Sequence, residues 1–92
     1  MDQSEKDAGT IYALMLRFKE TRLPRAKRLL EKVNGGEILS DGDIRFLKRV
    51  YEDSRSQQAL VKRNPEYAGL RVRFIDLYTE IVAKGIENEK SS

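Results

Sequence analysis

The stretch Asn64–Asn88, NPEYAGLRVRFIDLYTEIVAKGIEN, decides the fold. Helical residues advance by about 100° each. On that wheel Tyr67, Leu70, Phe74, Leu77, Tyr78 and Ile81 share one arc, and Ala68, Val72, Ile75, Val82 and Ile86 share the adjoining one. Glu66, Gly69, Arg73, Asp76, Glu80, Lys84 and Glu87 make a single polar stripe. A surface helix needs one apolar stripe, whereas this one is apolar over more than half its circumference. It must be covered by at least two further helices.

Asn64-Pro65 sets the start of that helix, with proline suited to the first helical position. The residues before it read as another long helix, over 41–63. Ser40 as N-cap and Asp43 three residues on form a capping box, with Leu39 and Ile44 placed for a hydrophobic staple. A connection this short makes the two helices antiparallel neighbours. Residue numbers in facing pairs then sum to about 129, so Tyr51 lies by Tyr78, Leu47 by Val82 and Gln58 by Arg71.

Upstream, Ile11, Leu14, Met15 and Phe18 recur at helical spacing after Thr10. Leu23-Pro24 interrupts the pattern, because proline disfavours the α region in the residue before it. A second amphipathic helix follows and ends at Asn34-Gly35-Gly36. The predicted fold is all-α, a four-helix domain with helices near 10–21, 24–34, 41–63 and 65–87 and a long antiparallel C-terminal hairpin. Residues 1–9 are expected as a disordered leader, 10–88 as a single domain and 89–92 as a disordered tail. The last helix closes either at Lys84-Gly85 or near Asn88.

Composition narrows the chemistry. The 92 residues include no His and no Cys. These absences remove the commonest general base, the thiol nucleophile and the usual transition-metal ligands. The remaining carboxylate pairs, Glu52-Asp53 and Asp76/Glu80, lie on polar helix faces. Gly36-Glu37-Ile38 resembles the Gly-x-Ile of an EF-hand loop, but that register puts Val33, Gly35 and Gly42 where calcium needs oxygen ligands. No metal, cofactor or enzymatic activity is expected. The N-terminus lacks a signal-peptide pattern, and no segment has the roughly 20 apolar residues of a membrane span. A cytoplasmic protein with no membrane partner is the expectation.

Two constellations stand out. Arg71 is a charge between the two apolar arcs, and Ser54, Gln57 and Gln58 interrupt the facing stripe, so the four could form a polar inter-helix notch. Its plainer reading is a locally satisfied polar layer. Between Arg17 and Lys32, seven basic residues face two acidic ones, within a chain of net charge +3. Arg22, Arg25, Arg28 and Lys32 there form a basic patch that could meet phosphate. Its plainer reading is a solvated helix face. The four tyrosines, Tyr12, Tyr51, Tyr67 and Tyr78, fall on or beside apolar faces, as core-edge or interface residues do.

The function these readings favour is a small non-enzymatic protein–protein interaction module. It would be an adaptor or regulatory subunit that presents a helical face to another protein, or to a second copy as a homo-oligomer. The alternative is a nucleic-acid-binding protein using the basic second helix.

Overall fold

The computed structural model describes residues 3–91, with side chains from Gly9 onward. Among the described residues there is no strand. The elements are α1 (Gln3–Arg17), a π-helical turn (Phe18–Arg22), α2 (Leu23–Asn34), α3 (Asp41–Ser56), α4 (Gln58–Arg63) and α5 (Pro65–Ser91). The all-α class and the long C-terminal helix are as the sequence predicts.

Element boundaries differ in instructive ways. Pro24 does not separate two helices. The Leu23 N–H instead bonds the Phe18 carbonyl, widening one turn to the π pattern. That turn accommodates a residue with no N–H of its own, so α1, the turn and α2 form one rod of about 48 Å. α1 starts at Gln3 rather than Thr10, which makes most of the expected leader helical. Gly9 costs a helix about 1 kcal/mol relative to Ala, a penalty that propagation at one hydrogen bond per residue can carry. Met1, Asp2 and Ser92 lie outside the described residues.

The predicted 41–63 helix is divided at Gln57 (φ −102°, ψ 21°). Just before the break, the Ser54 hydroxyl donates to the Tyr51 carbonyl and the Ser56 hydroxyl to the Asp53 carbonyl, both at 2.9 Å. Such back-bonding competes with the helical ladder and bends it. At the next junction, the Asn64 amide donates to the Leu60 carbonyl at 2.8 Å rather than capping α5. α5 then runs through Gly85 and Asn88 to Ser91, so neither expected terminus holds.

The α2–α3 link is closed at both ends. Gly36 takes φ +94°, where glycine is favoured. The Glu37 N–H reaches the Lys32 carbonyl and the Gly36 N–H the Val33 carbonyl, a Schellman pair. Asn88 of α5 adds a tertiary cap, its amide donating to the carbonyls of Val33 and Glu37 at 2.7 and 2.8 Å. At the start of α3, the Ser40 hydroxyl accepts from the Asp43 N–H and the Asp43 carboxylate accepts from the Ser40 N–H. The predicted capping box is present.

Three rods therefore pack up-down-up, in a body of 56 × 20 × 19 Å. The Cα radius of gyration is 15.1 Å. A compact domain of this length would have about 12 Å. Its main core joins Phe18, Leu23, Ala26, Leu29, Leu47, Val50, Leu70, Phe74 and Ile81. Phe18 meets Phe74 edge to face at 5.9 Å, and Tyr51 stacks on Tyr78 at 5.5 Å, the facing pair expected from the hairpin. A smaller cluster of Ile11, Val61 and Tyr67 fills the other end.

α2 and α5 approach most closely, while α3 stands further off. Small side chains explain the first contact. Ala26 is fully buried, and a Cβ at Gly85 would meet Val33 of α2 at 3.9 Å and crowd Leu39 of the following link at 2.9 Å. Long side chains hold α3, which leaves furrows on both its flanks.

Candidate functional site

On the α2 side, the bridging residues are charged. Arg22 donates to the Asp53 carboxylate at 2.6 Å, and its side chain is only 11% exposed. Lys32 donates to Asp43 at 2.7 Å. Between them the Arg25 guanidinium lies over the Phe46 ring, 4.1 Å from its centroid. Arg22, at the end of the π turn, and Arg25 and Lys32 of α2 are spaced so that all three lie on one edge of this rod. The three contacts set the register of antiparallel α3.

Asp43 serves both helices. Burial alone would raise its pKa. The Lys32 ammonium, the Ser40 backbone N–H and the Ser40 hydroxyl outweigh that effect and hold the carboxyl below its ordinary range. Lys32 is correspondingly raised, chiefly by its hydrogen bond to Asp43.

The sequence-predicted basic patch is thus largely internal wiring. Arg22, Arg25 and Lys32 each have a partner in the fold, and Arg28 is exposed. The polar notch is not assembled as a unit. Ser54 is buried and satisfied within its own helix. Gln57 accepts a hydrogen bond from the Tyr67 hydroxyl at 2.7 Å, and burial raises the pKa of that phenol. The break at Gln57 leaves Gln58 exposed, and among the described residues no hydrogen bond joins it to Arg71. Arg71 is half-buried, with its Nε enclosed and unpaired, beside a shallow hollow lined by Val61, Ala68, Val72 and Ile75.

The opposite flank of α3 is apolar. Leu39, Ile44, Leu47, Tyr78, Val82 and Ile86 line a groove of about 390 Å³ between α3 and α5, with Lys48 at its edge. Ile44 and Ile86 are 49% and 48% exposed, although both occupy apolar positions of their helices. Neighbouring Ile38 is 48% exposed. Sequence reasoning named none of these as site residues. The available signal was the second apolar arc of α5, which two covering rods leave partly open. A second hollow of about 370 Å³ lies at the far end, where Tyr12 and Leu16 are exposed.

Among the described residues no three acidic side chains cluster in a way that could hold a metal ion. No described helix is long and apolar enough to cross a membrane. Comparison with family models, curated proteins and solved structures finds no match to this chain.

Proposed function

We propose that this protein is a non-enzymatic interaction module, an adaptor or regulatory subunit in the cytoplasm, that takes an amphipathic helix of a partner protein into the α3–α5 groove. One observation carries the reading. The groove is walled by two helices and floored by apolar side chains, yet two of its isoleucines are half exposed. Recognition of a helix in a groove needs such a trough and a few apolar anchors. From Tyr78 to Glu89 the α5 wall extends about 16 Å, the length of three helical turns. The occupant is therefore a segment of at least 11 or so residues with apolar side chains at i, i+3/i+4 and i+7. Lys48 and Glu89 both line the groove, so its rim carries one charge of each sign.

A direct probe is a labelled 14-residue helical peptide with leucines at those spacings and flanking glutamates, titrated by fluorescence anisotropy. The patterned peptide is expected to bind at least tenfold more tightly than a scrambled peptide of equal composition. Combining Ile44→Glu with Ile86→Glu should abolish that preference while circular dichroism stays helical, since both positions are half exposed. Equal binding of patterned and scrambled peptides, or binding unchanged by the double substitution, rules out the groove. Sedimentation of the free protein as a dimer that those substitutions dissolve would make a second copy the occupant instead.

A further inference from the structure

The furrow on the other flank of α3 has a different chemistry. It is a concavity of about 260 Å³ lined by Arg25, Gly42, Arg45, Phe46 and Arg49. The two partly buried carboxylates of α3 are committed elsewhere, Asp43 to Lys32 and Asp53 to Arg22. Arg25, Arg45 and Arg49 have no carboxylate partner among the described residues. Three arginines thus line one furrow with none of them in an ion pair, Asp41 being the acidic residue one turn before Arg45, and Arg28 follows Arg25 by one helical turn on the exposed side of α2. The Arg25 Cζ lies 4.1 Å from the centre of the Phe46 ring, a cation–π contact that holds this guanidinium at the furrow.

We propose that this furrow binds the phosphodiester backbone of a single-stranded nucleic acid, with Arg25, Arg45 and Arg49 neutralising about three phosphates. Arg45 and Arg49 lie one helical turn apart, about 6 Å along α3, so they can contact neighbouring phosphates of one strand. A polymer with regular charge fits that spacing. The furrow lies between α2 and α3, so a strand can run along it. Phe46 is covered by Arg25, so no aromatic face is open for base stacking. Binding should therefore be independent of base sequence. This surface is separate from the apolar groove, and neither proposal depends on the other.

The experiment is an anisotropy titration of fluorescein-labelled 12-mers of dT and of dA at 50 and 200 mM NaCl, with the full chain. Three neutralised phosphates on a single strand predict a slope of about −2 in log K against log salt, hence roughly a 20-fold loss of affinity across that range. The two oligonucleotides should bind within about twofold of each other. The double variant Arg45→Ala/Arg49→Ala keeps the Arg25–Phe46 stack and alters only exposed positions. Its slope should fall to about −0.7, a loss of under threefold over the same range. Lys27→Ala/Lys62→Ala removes equal charge from exposed sites elsewhere and should leave the slope near −2. Arg49→Gln alone should shift the slope by about 0.7, which covers the case in which the double variant loses helicity. The proposal is overturned if the lysine control weakens binding as much as the arginine variant does. It also fails if neither oligonucleotide binds at 50 mM NaCl, including the case in which phosphatidylserine vesicles do.

Discussion

The two flanks of α3 solve the same problem with opposite chemistry. Toward α2, the helix is held by Arg22–Asp53, Arg25–Phe46 and Lys32–Asp43. Toward α5, it is held by Leu47, Val50 and the Tyr51–Tyr78 stack, with Ile44 left half in water. The charged contacts are directional and fix register, whereas the apolar ones supply most of the free energy and tolerate sliding. The pairing explains how one helix can stand off from its neighbours and still occupy one position. It also explains why each flank leaves a furrow suited to a different kind of partner.

The largest expected effect comes from breaking the apolar flank. Leu47 is 2% exposed, and Leu47→Ala should lower unfolding stability by about 2–5 kcal/mol in urea denaturation, since it removes transfer free energy and leaves a cavity. For a domain whose total stability is of order 5–15 kcal/mol, that is a large fraction. A loss below about 1 kcal/mol would mean that the charged flank carries α3 by itself.

The charged flank should respond less. Asp53→Ala strands the mostly buried Arg22 guanidinium, while Asp53 itself is 41% exposed and screened by solvent. The expected cost is about 1–2 kcal/mol, below that of a fully buried pair. A double-mutant cycle with Arg22→Ala isolates the pairwise part, and 0.5 M salt should shrink it. A coupling indistinguishable from zero would reduce this contact to simple packing.

The smallest and most specific effect is on pH. Asp43 is held below its ordinary range in the fold, so the stability it contributes is present above the unfolded carboxylate value near 3.9. That stability is lost as pH falls through the folded value. Lys32 is raised, so its contribution is complete below the unfolded value of about 10.5 and is lost as pH rises through the folded one. Asp43→Asn should therefore flatten the acid limb of the melting-temperature profile, below the unfolded carboxylate value near 3.9, with little change in its shape around neutrality. An acid limb of equal steepness in the variant would assign it to other carboxylates.

Much of this was legible from residue order. Ser40 and Asp43 mark the start of α3 because capping is a local hydrogen-bond exchange within four residues. Gly36 marks the end of α2 for the same kind of reason. Tyr51 and Tyr78 could be paired because a short connection and a constant helical rise convert sequence distance into spatial distance. The failures have a common origin. Pro24 was accommodated by a π turn, and the serines near Gln57 bent a helix expected to run unbroken over 41–63, which upset the expected match of Gln58 with Arg71. Gly85 and Asn88 looked like terminators, yet one is a close-packing position under Leu39 and the other caps a different helix.

By itself, the sequence determined the all-α class, the long last helix, the end of α2 and the start of α3, since helical period and local caps act over a few residues. The tertiary structure alone decided which basic residues are consumed. Arg22 and Lys32 look like free surface charge until α3 brings Asp53 and Asp43 beside them, and Arg45 and Arg49 look ordinary until Arg25 joins them across the furrow. Helical periodicity says which residues share a face. Only packing says what that face meets, because the partner of a charge, or the exposure of an isoleucine, depends on a helix many residues away.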